Sequence, residues 1–307
     1  MKANISRERG SALLIALVAV ALATVIAVAV LERAQSAMGR TEALIAAERS
    51  YQFALGMEVL VDHALEQARA EGLSAASKDG IWTPPFDVPG GQVQGRVLDR
   101  QGRFNLNALA NAEPALARRA EAALVRLLVA LGLPRSTAGE LADWIEGDAA
   151  IRSGSVGDFW YAAQRPAYRM AGLPLAHASE MRWLRSMDPE GYAVLQPHVT
   201  VLPDTNLGIN INTTSPEVLV AVIDGLDVES ARRVLADGPF TDPAQLQSHP
   251  LLAGVLTPAV ERELVIDSRW YLAQARVRLD GVERDFFRLL SVDGAGYDFR
   301  YVSQGLP

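Results

Sequence analysis

Four acidic side chains lie close together near the middle of the chain. Asp143, Glu146 and Asp148 belong to the segment Asp-Trp-Ile-Glu-Gly-Asp, and Asp158 follows in Gly-Asp-Phe-Trp-Tyr. Carboxylate oxygens are the ligands that Ca²⁺ prefers, and the ion takes about six to eight oxygens. The ligand spacing of an EF-hand is absent, so a solvated acidic loop whose Asp side chains cap helices fits the same residues. The spacing alone favours the acidic loop, and a calcium site is the alternative.

Other reactive groups are scarce. The chain has no cysteine, which excludes disulfides, thiol nucleophiles and cysteine–zinc sites. No two of its four histidines have metal-ligand spacing, and the common nucleophile, phosphate-loop and dinucleotide motifs are absent. A hydrolase that pairs Asp143 with Asp158 is the remaining enzymatic interpretation, but nothing places a substrate cleft between these carboxylates. The sequence therefore predicts a protein that is not an enzyme.

The N-terminus combines a short basic leader with a long apolar run. Residues 1–10 carry three basic side chains against one acidic side chain, and residues 11–31 carry no charge. As a helix, this run would span roughly one bilayer core, and it exceeds the apolar part of an ordinary secretory signal. The basic leader predicts a cytoplasmic N-terminus with the bulk of the chain outside. Both an uncleaved signal anchor and a type IV prepilin signal cut after Gly10 fit this pattern.

The composition limits the kinds of molecule that the chain is expected to bind. Of 307 residues, 50% are apolar and 21% are charged, which suits packed globular domains outside the membrane segment. The net charge is −7 even though the leader is cationic, so the rest of the chain is more acidic still. An acidic surface argues against nucleic acid as a partner.

Helical periodicity continues past the apolar run and predicts one helix over about residues 11–70. Its apolar positions near residues 51–65 are expected to contact neighbouring proteins. Alternating patterns predict strands at residues 92–100, 271–279, 282–292 and 297–303, with Asp280-Gly281 as a hairpin turn. Strands therefore flank a long helical middle.

The helical middle contains an internal echo. Phe-Asn-Leu-Asn at residues 104–107 and Ile-Asn-Ile-Asn at residues 209–212 each precede a helical stretch and a Gly-Leu turn. This pattern predicts two related helical hairpins, with Asn107 and Asn212 capping or bracing the first helix of each.

The second hairpin is similar to a helix-hairpin-helix, a motif that in some proteins binds DNA. In the DNA-binding version, backbone N–H groups at the hairpin glycine bind a phosphate. Here Asp224 and Asp227 flank Gly225 and would repel phosphate. A packing role is favoured, and a membrane-anchored helix-hairpin-helix DNA receptor remains the alternative function.

Taken in order, these features resemble the general secretion pathway protein K family, the large minor pseudopilin of type II secretion. The resemblance covers nearly the whole chain and combines motifs that are weak singly. They are the leader ending at Gly10, residues 102–107, Asp143-Trp144, residues 166–171, residues 179–182 and residues 210–213.

The resemblance implies an α+β fold, in which a pilin-like long N-terminal helix and antiparallel sheet carry a large all-helical domain inserted between strands. The corresponding segments are a leader (1–10), a transmembrane or filament-core helix (11–31), the first part of the pilin-like domain (32–106), the helical insert (107–264) and the C-terminal strands (265–307). The implied location is the bacterial inner membrane, crossed once, with the bulk of the chain in the periplasm.

The resemblance also implies a role, partners and processing. The chain would lie at the tip of the pseudopilus, nucleate its assembly with minor pseudopilins I, J and H, and support protein export. Prepilin peptidase would cut between Gly10 and Ser11, and Ser11 would be N-methylated. The tip would contact the outer-membrane secretin or the exported substrates.

Two positions depart from patterns of the wider group. Most pilins carry Glu at the fifth mature position, whereas this chain has Ile15. Members of the K family also lack this Glu, so Ile15 supports a tip subunit. Family members can bind calcium in the acidic loop, where a common Glu is replaced here by Gly157. Asp143, Glu146, Asp148 and Asp158 remain the candidate ligands.

Overall fold

The computed structural model describes residues 5–70, 80–147, 156–293 and 296–304. In chain order the α-helices are α1 Ile5–Ala70, α2 Pro114–Ala130, α3 Ser136–Glu146, α4 Asp158–Ala162, α5 Pro189–Leu195, α6 Pro216–Val222, α7 Val228–Ala236, α8 Pro243–Gln247 and α9 Pro258–Glu261. The strands are β1 Phe86–Val88, β2 Gly91–Asp99, β3 Phe104–Asn105, β4 Val199–Thr200, β5 Ile209–Asn210, β6 Leu264–Val265, β7 Trp270–Leu279, β8 Val282–Asp293 and β9 Gly296–Gln304. Short 3₁₀ helices cover Leu106–Ala110, Ala178–Trp183, Gln196–His198 and Pro250–Leu252.

The predicted N-terminal helix is confirmed as the continuous helix α1. Its apolar run consists mostly of Ala, Leu, Val and Ile, and neither Gly39 nor Gly56 interrupts the helix. The hydroxyls of Thr24, Thr41 and Ser50 donate to carbonyls one turn back, so these polar groups are satisfied within the helix. At 66 residues, α1 is about 100 Å long.

An antiparallel five-stranded sheet packs beside the second half of α1, in the order β1-β2-β7-β8-β9. All four predicted strands are confirmed to within one or two residues. The predicted hairpin turn is also present, with Asp280 at φ 50° and Gly281 at φ 79° between β7 and β8. These two positive φ angles are those that a two-residue hairpin requires.

The helical region is inserted between two neighbouring strands of this sheet. Strand β2 ends at Asp99 and pairs with β7, which begins only at Trp270. The largest hydrophobic core cluster extends from Phe104 to Leu264 and lies within the inserted segment. This architecture matches the predicted fold class. Phe104 and Leu106 belong to that helical core, although the predicted domain boundary placed them with the strands.

The internal echo is present in three dimensions. Strand β3 pairs in parallel with β4, and β5 pairs in parallel with β6, so each echo begins a small parallel ladder. Each also leads to a helical hairpin, α2–α3 or α6–α7. The hairpin glycines Gly132 and Gly225 have φ of 71° and 84°. Only glycine adopts this backbone conformation at little cost.

The prediction that the two asparagines cap or brace the first helix of each hairpin is wrong, because both side chains bind loop backbone instead. Glu113 and Ser215 occupy the N-cap positions of α2 and α6. The Asn107 amide instead donates to the carbonyls of Leu175 and Leu202, at 3.0 and 2.9 Å. Each asparagine comes well before its helix and has buried loop backbone beside it, which explains why it binds loops rather than the helix end.

Asn212 repeats the arrangement of Asn107 in the second echo. Its amide donates to the carbonyls of Phe240 and Ile266, at 2.8 and 3.0 Å, and its Oδ1 accepts from the Phe240 N–H at 2.7 Å. The Oδ1 of Asn107 likewise accepts from the Leu175 N–H, at 2.8 Å. The matching bond pattern extends the sequence echo to the hydrogen bonds.

A buried carboxylate ties the sheet to the insert. Asp99 Oδ2 accepts from Asn210 Nδ2, Thr213 Oγ1 and Ser268 Oγ, at 2.9, 2.9 and 2.6 Å. Its Oδ1 accepts from the backbone N–H groups of the turn that follows, 101 and 102. Burial raises the pKa of Asp99, and these hydrogen bonds oppose that shift.

Candidate functional site: the helical stem and the acidic segment

The N-terminal half of α1 is an apolar stem with no protein cover. Within the described residues, Leu13–Gly56 is long and apolar enough to cross a membrane. Large apolar side chains from Leu13 to Leu31 are at least half exposed, and Ile15 is 66% exposed. Gly10 and Ser11 lie within α1, and their side chains are outside the described set. Because this surface has no polar face, it requires lipid or neighbouring helices around it.

The second half of α1 packs on the sheet of its own chain. Ala54 belongs to a core cluster with Val93, Val277 and Phe286, and the Tyr51 ring lies 6.1 Å from that of Phe286. Val61 is 7% exposed and packs with Ala273 and Leu290.

The expectation that apolar positions near residues 51–65 contact neighbouring proteins is therefore wrong for Tyr51, Ala54 and Val61, which the sheet covers. Uncovered apolar side chains lie closer to the N-terminus instead. Met38, Leu44 and Ile45 are 65%, 71% and 55% exposed. The sequence could not distinguish these two stretches, because the pattern shows an apolar face but not what covers it.

The acidic segment separates its candidate ligands. Asp143 is fully buried near the end of α3, whereas Glu146 is exposed in the last turn of the same helix. Asp158 begins α4, and its Oδ1 accepts from the Met170 N–H at 2.9 Å. Asp148 lies outside the described residues. Asp158 thus holds the segment around Met170 against the start of α4.

An aromatic cluster lies under this segment. The Tyr161 ring is fully buried, 5.4 Å from Trp144 and 5.3 Å from Tyr168, and Trp183 lies 5.0 Å from Tyr168. Burial and the nearby carboxylate of Glu140 raise the pKa of Tyr161, which therefore stays neutral. Glu140 is itself fully buried, and it accepts from the Ser186 N–H at 2.9 Å. These contacts pack the region into the core and indicate that it stabilises the fold.

The described residues do not assemble a metal centre. Over the described ranges, no three His, Cys, Asp or Glu side chains form a group that could hold a metal ion. Asp158 is engaged by backbone. The calcium prediction, which includes Asp148, stays a prediction.

The electrostatics of the second hairpin oppose phosphate binding. Asp224 and Asp227 are exposed on either side of Gly225. Asp227 caps α7 by accepting from the Ser230 N–H and Oγ, at 2.8 and 2.7 Å, and these bonds lower the pKa of Asp227. Two carboxylates beside the hairpin N–H groups would repel a nucleic-acid backbone.

Together, an apolar stem long enough to cross a membrane, a sheet packed on its second half and a helical insert define a pilin-like subunit. Two family models, both described as type II secretion system (T2SS) protein K, match residues 102–204 and 209–267, more than half of the chain. The chain belongs to the type II secretion system protein K family, whose members are minor pseudopilins.

Individual relatives match over nearly the full length of the chain. The type II secretion system protein K of Pectobacterium carotovorum subsp. carotovorum is 28% identical over 309 residues, covering 94% of each chain. The protein of the same name from Klebsiella pneumoniae is 29% identical, again covering 94% of each chain. A chain of the crystal structure of the GspK–GspI–GspJ complex from the enterotoxigenic Escherichia coli type 2 secretion system matches with a TM-score of 0.74. It is 25% identical, and the match covers 87% of this chain and 100% of that one.

Proposed function

We propose that this chain is the non-enzymatic tip subunit of a type II secretion pseudopilus and nucleates its assembly. The observation that carries the proposal is the match to a complete chain of the GspK–GspI–GspJ complex. The bare apolar stem supports it, because a stem without a polar face can pass from lipid to a bundle of neighbouring helices. Ile15 supports the tip position, because a subunit with nothing above it has no use for a buried carboxylate there.

The proposed partners are the minor pseudopilins I and J, with H joining below them. Further proposed contacts are the prepilin peptidase, which acts on the precursor, and the secretin and exported substrates at the outer membrane. The anchor would cross the inner membrane once, and the sheet and insert would lie in the periplasm. Support for I and J comes from the composition of the matched complex.

The role in export is tested by deletion in the native host. Without this chain, a type II substrate is expected to stay in the periplasm, and the wild-type chain supplied from a plasmid should restore its release. Quantifying the substrate in the medium and in the periplasm measures this. Undiminished release from the deletion strain would contradict the proposal.

The proposed processing is cleavage between Gly10 and Ser11 followed by N-methylation of Ser11. Intact-mass and N-terminal peptide analysis of the membrane form should detect a chain that begins at methylated Ser11. A membrane form that retains residues 1–10 would show an uncleaved signal anchor instead.

Calcium binding by Asp143, Glu146, Asp148 and Asp158 remains a separate proposal. Carboxylate oxygens suit the ion, and Gly157 in place of the family Glu removes one candidate oxygen. Titrating the chain with calcium in a calorimeter should give heat and a higher melting temperature. The absence of both effects would exclude this site.

A further inference from the structure

A cavity of about 540 Å³ lies where the helical insert meets the sheet. The turn after β2 and the residues around the 3₁₀ helix Ala178–Trp183 contribute to its lining. Leu202, from the segment after β4, and Leu272 and Leu289, from β7 and β8, provide an apolar wall. A volume of this size falls within the range of about 300–1,000 Å³ that is usual for small-ligand pockets.

The charged side chains of the described lining are all cationic. They are Arg100, Arg103 and Arg182. This local sign opposes that of the chain, whose net charge is −7. The lining therefore differs from the average surface of this acidic protein. Its positive charge indicates a site that attracts an anion.

Arg100 lacks a counter-charge. In the described part of the chain, no hydrogen bond or ion pair engages its guanidinium. Burial, together with the positive charges of Arg103 and Arg96, lowers the pKa of Arg100 to about 9. The neighbouring carboxylate of Asp99 is occupied by its own five donors. Arg100 is partly buried, and a guanidinium among like charges is stabilised when an anion binds it.

Arg182 leaves room for such an anion. Arg103 is engaged by the protein, and one of its contacts is a donation to the Gln196 carbonyl at 3.5 Å. The Arg182 guanidinium lies over the Tyr192 ring, 5.9 Å from its centroid, and this contact does not neutralise its charge.

The walls of the cavity are pre-formed. The Asn107 amide holds the carbonyls of Leu175 and Leu202, which line the cavity from two different segments. A pocket whose walls are already fixed loses little conformational entropy when a ligand enters.

We propose that this cavity binds a carboxylate carried on an apolar group. Arg100 and Arg182 would form charge-assisted hydrogen bonds with the carboxylate, for which a guanidinium fork is well shaped. Leu202, Leu272 and Leu289 would cover the apolar group. A peptide C-terminus and a short fatty acid both present this chemistry. The site is independent of the proposed tip function.

Calorimetric titration of the full chain in lipid nanodiscs tests the proposal. The probes are acetyl-leucyl-leucine, its C-terminal amide, hexanoate and inorganic phosphate, and empty nanodiscs give the background. We expect at least tenfold tighter binding of acetyl-leucyl-leucine than of its amide, and weaker binding of phosphate. The comparison with hexanoate shows whether a peptide or a fatty acid is preferred.

Variants locate the binding. R100Q should weaken binding of the better carboxylate probe at least tenfold, and R182Q, at an exposed position, should weaken it without affecting folding. R118Q is the matched control, because Arg118 is exposed on α2 and does not line the cavity. Circular dichroism verifies the fold of each variant. Equal binding of acid and amide, equal binding of phosphate, or unchanged binding by both R100Q and R182Q would overturn the proposal.

Discussion

At the scale of single residues, Asp99 joins the sheet to the insert through several buried hydrogen bonds. It stands at the end of β2, where the chain leaves the sheet, and it binds Asn210, Thr213 and Ser268 from the far end of the insert. Next to it, a Cβ on Gly102 would lie 2.5 Å from the Thr213 hydroxyl, so the contact demands glycine. The position of the insert relative to the sheet thus depends on one carboxylate and one glycine.

Replacing Asp99 by Ala is expected to lower the free energy of unfolding by about 3 kcal/mol or more, because buried donors lose their acceptor. Thermal unfolding followed by circular dichroism measures the change. Asp87 is the control, because its contact with Gln92 is exposed, so D87A should change stability by less than about 0.5 kcal/mol. A melting temperature for D99A equal to that of wild type would show that the junction does not depend on this carboxylate.

Ile15 links a single side chain to the proposed tip position. I15E would introduce the carboxylate of other pilins where, at the top of a filament, no neighbouring amine would pair with it. We expect reduced export of a type II substrate at normal chain levels, measured in the culture medium. I15L is the matched control and should export normally. Full export by I15E would count against the tip position.

At the scale of elements, the paired asparagines show what sequence could predict. The echo of Asn107 and Asn212 was evident from spacing, and the related hairpins that it predicted are present. Their bonding partners could not be predicted, because Leu202 and Ile266 come to the asparagines only through long-range packing. The carboxylate hub at Asp99 was missed for the same reason, since its partners are more than one hundred residues away for Asn210, Thr213 and Ser268.

Because the side chains of Asn107 and Asn212 make matching hydrogen bonds, their removal should have similar effects on stability. N107A and N212A each leave buried backbone groups of two loops unpaired, which we expect to cost about 2–4 kcal/mol. N206A removes one exposed side-chain hydrogen bond, from Asn206 Nδ2 to Asp204 Oδ1, and serves as the control. Comparison of melting temperatures tests this. If either N107A or N212A were as stable as N206A, the claim that the two asparagines contribute similarly to stability would be contradicted.

The candidate sites also differ in whether they depend on local sequence or on long-range packing. The apolar run, the basic leader and the strands follow from local periodicity, which is why the fold class could be predicted. The covered and uncovered stretches of α1 could not be separated, nor could the cationic cavity be found, because both depend on the packing of segments distant in sequence.

At the scale of the whole molecule, the chain has two parts with different surfaces. The sheet and the insert bury their own cores, whereas the stem exposes apolar side chains from Leu13 to Ile45. The inserted region carries the largest core, yet it enters the sheet between β2 and β7 without breaking their pairing. The described stem is therefore an apolar surface available to other subunits.

Co-purification of the full chain with I and J homologues from the same organism tests the central claim most directly. The tagged chain in detergent is expected to retain both partners and to elute with them as one species in size-exclusion chromatography. L44D places a charge on the uncovered stem and should reduce the recovery of partners at least fivefold. L173D is the matched control, because Leu173 is 66% exposed, close to the 71% of Leu44, but lies in the insert. Wild-type chain that retains neither partner would contradict the assignment.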